Sequence, residues 1–94
     1  MLLTRFKIIG HSMEPTFHQG DDVLVSSLIY QISKPKLGDI VVFEIAGKFS
    51  IKRIKEIRSG KYFLEGDNSS DSLDSRKLGY IDRNKIRGKV ILKI

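Results

Sequence analysis

The run Ile40-Val41-Val42-Phe43-Glu44-Ile45 constrains the fold more than any other part of the chain. It is apolar on both of the faces that a strand's alternate residues present, and Gly38-Asp39 and Ala46-Gly47 bound it. Six residues are few for a buried helix, and β-branched and aromatic types dominate. The pattern therefore predicts a strand covered on both sides, near the middle of a sheet. The rest of the sequence supplies its neighbours. Leu2 to Ile9, Val23-Leu24-Val25, Phe49 to Ile57, Lys61 to Glu65 and Ile86 to Ile94 read as further strands, the last alternating at Val90, Leu92 and Ile94. Ala46-Gly47-Lys48 and Ser59-Gly60 are short enough to be hairpin connections. No window has a convincing helical period. Leu28 to Lys36 suits either one helical turn or a loop laid on the core, and Gly66 to Gly79 is polar. The expectation is an all-β fold, and 94 residues without a repeat, linker or low-complexity tract predict a single domain, 1–94.

Composition narrows the chemistry. With no cysteine there is neither a disulfide framework nor a thiolate zinc site, and the redox compartment cannot be read. Two histidines are too few for a convincing metal site, so no metal or cofactor is expected. The net charge of +6 suits nucleic acid, anionic lipid or an acidic substrate, but the basic residues are dispersed, with no run of four. Arg5 and Lys7 interrupt the apolar start, which is far short of the roughly 18 to 20 residues of a membrane span. Neither a span nor a signal peptide is expected, and the compartment stays open.

Three stretches carry candidate chemistry. In Ile8-Ile9-Gly10-His11-Ser12-Met13-Glu14-Pro15-Thr16-Phe17 the apolar pair reads as the end of a buried strand. Gly10 permits a backbone angle that a Cβ resists, and Pro15 forbids ladder pairing. Ser12 then sits on a bent, rigid segment with its hydroxyl and its own N–H directed at one space, unless it merely caps a turn. In Ser50-Ile51-Lys52-Arg53-Ile54 a lysine stands mid-strand between isoleucines. Burial disfavours the ammonium, and a neutral amine could take a proton from a serine hydroxyl. The plainer alternative is a guard lysine on an edge strand. The third stretch runs from Gly66-Asp67-Asn68 through Ser72-Leu73-Asp74-Ser75-Arg76. Asp67, Asn68 and Asp74 can bond to their own turns, while Asp74 and Arg76 can pair with each other or with Arg53.

In this order and spacing the three stretches resemble the boxes of the type I signal peptidases, membrane-associated Ser/Lys endopeptidases that cut leader peptides from exported proteins. The resemblance implies a coiled β-sheet, barrel-like domain of the signal peptidase and LexA type. It also implies Ser12 as nucleophile and Lys52 as general base, with Ser72 orienting the amine. Gly10, Met13, Asp74 and Arg76 would support these or the oxyanion. It implies a protein partner bound as an extended leader or pro-peptide segment, and contact with a membrane surface. Gly20 to Val25 and Pro35 to Phe43 extend the likeness as framework. Three departures accompany it. Gly10 stands where well-known bacterial members carry a serine that helps form the oxyanion hole. Only 13 residues separate Lys52 from Gly66, leaving no room there for the accessory domain of some bacterial members, and no anchor is evident. A small form of this kind looks most like the nickel-type superoxide dismutase maturation proteases.

Competing readings make different predictions. A Ser/His/Asp scheme would use His11 or His18, but adjacent side chains of an extended segment point apart, so both read as rim residues. The self-cleaving LexA-type domain shares the dyad yet usually lacks the Pro-Thr and Gly-Asp-Asn present here. A basic β-barrel binding single strands would want aromatics such as Phe49, Tyr62 and Phe63 exposed among cations, and would leave the three boxes unexplained. No nucleic-acid partner is expected.

Overall fold

A computed structural model of the chain describes residues 2–69 and 74–94. Among these residues seven strands form one sheet, pairing antiparallel throughout. They are β1 (Leu3–Lys7), β2 (Asp22–Ser26), β3 (Ile40–Ile45), β4 (Lys48–Arg58), β5 (Lys61–Glu65), β6 (Ile81–Asp82) and β7 (Ile86–Lys93). Their order in the sheet is β1-β2-β7-β3-β4-β5-β6. Three strands therefore separate β1 from β4, yet the rings of Phe6 on β1 and Phe49 on β4 lie 5.8 Å apart. The sheet must coil to bring them together, which makes the fold an all-β coiled sheet. No helix among the described residues is long and apolar enough to cross a membrane.

As its pattern predicts, β3 is central, with Val41, Val42 and Phe43 buried. Its two faces feed two cores. Val41 and Phe43 pack with Tyr30, Ile54, Tyr62, Leu64, Ile81 and Ile86. Val42 packs with Ile8, Met13, Phe17, Val23 and Val25. The hairpins at Ala46-Gly47 and Ser59-Gly60 join β3 to β4 and β4 to β5. Gly88 has a packing reason, because a Cβ there would stand 2.8 Å from both the Ser26 carbonyl oxygen and Val25 Cγ1, where β7 crosses close to β2.

Some local expectations need correction. The first strand stops at Lys7, and Ile9 is 85% exposed because the chain has begun its turn into Gly10. Ile8 stays buried: its N–H donates to the Asp21 carbonyl at 2.7 Å and its carbonyl accepts from Gly20 at 2.9 Å. The alternation at the end of β7 does not seat side chains in the core. Its register against β2 slips between Leu24 and Val25, and Leu92 and Ile94 are exposed. Two single helical turns occur, α1 (Ile29–Ile32) in the undecided segment and α2 (Ser75–Leu78) in the polar one. Each is four residues long, too short to leave a periodic signal. The two-residue strand β6 was invisible for the same reason.

Candidate active site

The Ser12 segment is anchored on both sides of that residue. Gly10 adopts φ +83°, an angle that disfavours residues with a Cβ, and its N–H donates to Gln19 Oε1 at 3.1 Å. Beyond Ser12, Met13 and Phe17 are buried in the core, and the Phe17 N–H donates to the Met13 carbonyl at 2.9 Å. Ser12 itself is half-buried.

Across from it, Lys52 is carried by β4, opposite Val41 in the β3 pairing, and only 6% of it is exposed. The Lys52 Nζ lies 3.0 Å from Ser12 Oγ, hydrogen-bond distance for either direction of proton transfer. Two groups 40 residues apart are thus brought together, and a lysine guarding an exposed edge is not what β4 presents. A groove of about 280 Å³ opens beside them, walled by Phe6 to Ile9 and by Phe49 to Ile51.

Asp67 and Asn68 brace this pair. The Asn68 N–H donates to the Ser12 carbonyl at 2.8 Å and its Nδ2 donates to the His11 carbonyl at 3.0 Å, so one residue fixes the backbone on both sides of the His11–Ser12 peptide. Arg53, the residue after the lysine, makes a forked contact to Asp67 (Nε to Oδ1 and Nη2 to Oδ2, both 2.9 Å), and Thr16 Oγ1 donates to the same Oδ2 at 2.5 Å. Asp67 therefore ties the Ser12 segment to the Lys52 strand. The Arg53 hydrogen bond is the largest cause holding the Asp67 carboxyl below its ordinary range; Thr16 adds to it and burial opposes it.

Asp74 is fully buried. Its Oδ1 accepts from the Arg76 N–H and Nε, both at 3.0 Å, and its Oδ2 accepts from Arg76 Nη2 at 2.7 Å and the Gly66 N–H at 2.8 Å. Of the two pairings open to Asp74, the one with Arg76 forms, while Arg53 takes Asp67. Ser72 lies outside the described residues. His11 and His18 are exposed at the rim, His11 Nδ1 standing 2.6 Å from Glu14 Oε2. Among the described residues no group of three or more His, Cys, Asp or Glu could hold a metal ion.

Residues 3–91 match the family described as peptidase S24-like. The chain belongs to this family. It is 30% identical over 108 aligned positions to the mitochondrial inner membrane protease subunit 1 of Xenopus tropicalis, covering 90% of this chain and 65% of that protein. It is 42% identical over 52 positions to signal peptidase I of Aquifex aeolicus, covering 55% of this chain and 20% of the relative. With signal peptidase IB of Staphylococcus aureus it shares 26% identity over 145 positions, covering 95% and 76%. The chain thus spans less than two thirds of the first two relatives. The type I signal peptidase resemblance read from Ser12, Lys52 and the Gly66–Arg76 stretch holds.

Within this member of the peptidase S24-like family, sequence reasoning singled out Ser12 and Lys52, whose side chains the structure brings to 3.0 Å, but missed the contacts made by Thr16, Asp67 and Asn68. Thr16 passed as a motif letter, and Asp67 and Asn68 as residues bonding their own turns. The available signal was Arg53: a second cation beside a buried lysine calls for a carboxylate partner nearby, and Asp67 stands at the start of the third box.

Proposed function

We propose that this peptidase S24-like chain is a serine endopeptidase that uses a Ser12/Lys52 dyad to remove an N-terminal leader or pro-peptide from a protein substrate. The observation that carries the reading is the 3.0 Å approach of a buried Lys52 amine to Ser12 Oγ at a groove. Burial favours the neutral amine, which takes the Ser12 proton as Oγ attacks the scissile carbonyl carbon. The tetrahedral oxyanion is held by the Ser12 N–H. When the carbon–nitrogen bond breaks, the Lys52 ammonium returns its proton to the leaving amine. The neutral amine then takes a proton from the water that hydrolyses the acyl-enzyme. In this scheme Ser72 orients the amine, Gly10 lets the chain bend, Met13 anchors the nucleophile segment, and the Asp74–Arg76 pair fixes the α2 loop.

Substrate enters as an extended strand. Among the described residues β1 pairs only with β2, and Lys48 to Lys52 of β4 pair only with β3, so both strands offer backbone groups to the groove between them. Apolar walls from Phe6, Ile8, Met13 and Ile51 suit the uncharged side chains of a leader. The test is mass spectrometry of leader-bearing proteins incubated with the chain. A single defined cut that Ser12→Ala and Lys52→Met both abolish, with the fold retained, supports the dyad. Cleavage persisting in either folded variant refutes it. Incubating the chain alone separates this reading from self-cleavage.

A further inference from the structure

The far half of β4 carries a second cleft that shares no wall with the groove. It is a shallow, open cleft of about 560 Å³ lined by Lys34, Pro35, Ile57, Gly60, Tyr62 and Arg83. Ile57 lies five residues beyond Lys52, about 17 Å along an extended strand.

The chemistry of its lining is one-sided. Lys34 and Arg83 make no ion pair with any described residue. The Arg83 guanidinium is half-buried and held by neutral groups alone: Nη1 donates to the Ile86 carbonyl at 3.1 Å, Nη2 donates to the Tyr30 carbonyl at 3.2 Å, and its carbon lies 5.5 Å from the centre of the Tyr30 ring. These contacts fix the cation in place without neutralising it, an arrangement that favours an arriving anion. Tyr62 is only 5% exposed, and its hydroxyl has no hydrogen bond to a described residue. Among the described residues no buried side-chain oxygen or nitrogen lacks a partner, so this hydroxyl reaches the cleft rather than being sealed beneath it. One ammonium, one guanidinium and one hydroxyl thus line the same space, all donors, between the apolar walls of Pro35 and Ile57.

We propose that this cleft binds the carboxylate side chain of a peptide segment in which an acidic residue is flanked by apolar ones. The donors match the carboxylate, and the apolar walls give the flanking residues a surface that a free anion would leave unused.

The test uses the full chain, nitrogen-15 labelled, followed by NMR at fixed ionic strength with three probes: acetyl-Leu-Glu-Leu-amide, its Gln counterpart, and inorganic phosphate. The Glu peptide is expected to shift the amides of Gly60 and Arg83 and leave those of Ser12 and Lys52 in place, with the Gln peptide about tenfold weaker. Tyr62→Phe, which keeps the ring and removes only the hydroxyl, and Lys34→Ala, at an exposed position, should each weaken binding about threefold. Equal binding of the Glu and Gln peptides, shifts confined to the groove, or no effect of either substitution overturns the proposal. Phosphate binding as tightly as the Glu peptide also overturns it, because the apolar walls then contribute nothing.

Discussion

Asp67→Asn tests whether the brace between the Ser12 segment and the Lys52 strand holds the site together. Asp67 accepts from Arg53 on both oxygens and from Thr16 on one. An asparagine of the same shape must set its NH₂ against a donor in either orientation, so at least one contact is lost and the pairing charge with it. A hydrogen bond to a charged group is worth about 1.5–3 kcal/mol, and the 26% exposure of the Arg53 side chain lets water replace part of that. A loss of about 2 kcal/mol follows, which in a domain of this size lowers Tm by roughly 8–16 °C. The effect must depend on pH with a fixed sign. Since the folded Asp67 carboxyl titrates below its ordinary range, its contribution is fully present above the unfolded value of about 3.9 and is lost as pH falls through the folded one. Thermal unfolding followed by circular dichroism at pH 7 and at about pH 2 should therefore show a wide gap between parent and variant that narrows in acid. Equal Tm values at pH 7, or a gap unchanged in acid, would refute the reasoning.

Asn68→Ala keeps the backbone bond to Ser12 and loses the one to His11; on the proposed dyad mechanism, kcat should fall about tenfold with KM nearly unchanged, since only the aim of Ser12 is affected. Gly88→Ala forces a methyl to 2.8 Å from the Ser26 carbonyl oxygen and should destabilise by about 1–3 kcal/mol in urea melts, with no bearing on the dyad. Asp74→Ala removes a fully buried carboxylate from Arg76 and Gly66; it should cost about 3–5 kcal/mol and loosen the α2 loop, seen as faster amide exchange at Gly66.

What the sequence made legible follows the range of each signal. The strands β2 to β5 and the two hairpins are local events, written in alternating or continuous apolar runs with Gly at the turns, and they fold where the pattern places them. Ser12 and Lys52 were legible because each breaks its local pattern: a small polar residue after a bending glycine, and a cation between two isoleucines. The structure keeps both anomalies and joins them at 3.0 Å. The Asp67–Arg53–Thr16 contact spans 51 residues between its ends, so no local rule could choose it over the Asp74–Arg53 alternative. Ile9 misled because an apolar residue in sequence with buried neighbours reads as buried, whereas the turn at Gly10 rotates it to solvent. Leu92 and Ile94 misled because a register slip in β2–β7 interrupts the alternation that their spacing implies.

The placement of Lys52 within β4 joins fold to chemistry. This eleven-residue strand changes partners along its length: Lys48 to Arg53 pair with β3, and Arg53 to Arg58 pair with β5, so Arg53 is the one residue matched on both sides, to Ile40 and to Glu65. Lys52 is the last residue before the second partner arrives. A lysine one step further along the strand would point to the opposite face. A lysine three residues earlier would stand at the exposed end of β4, where Phe49 is 51% exposed and water would keep the ammonium charged. Only near the switch are burial against β3 and an open edge toward the groove available together. Arg53 occupies the switch itself, and its fork to Asp67 connects that point to Thr16, four residues past Ser12. The geometry at Ser12 thus depends on where β4 exchanges one neighbour for the other, and a substitution that moved that exchange by one residue would separate the amine from the hydroxyl without touching either.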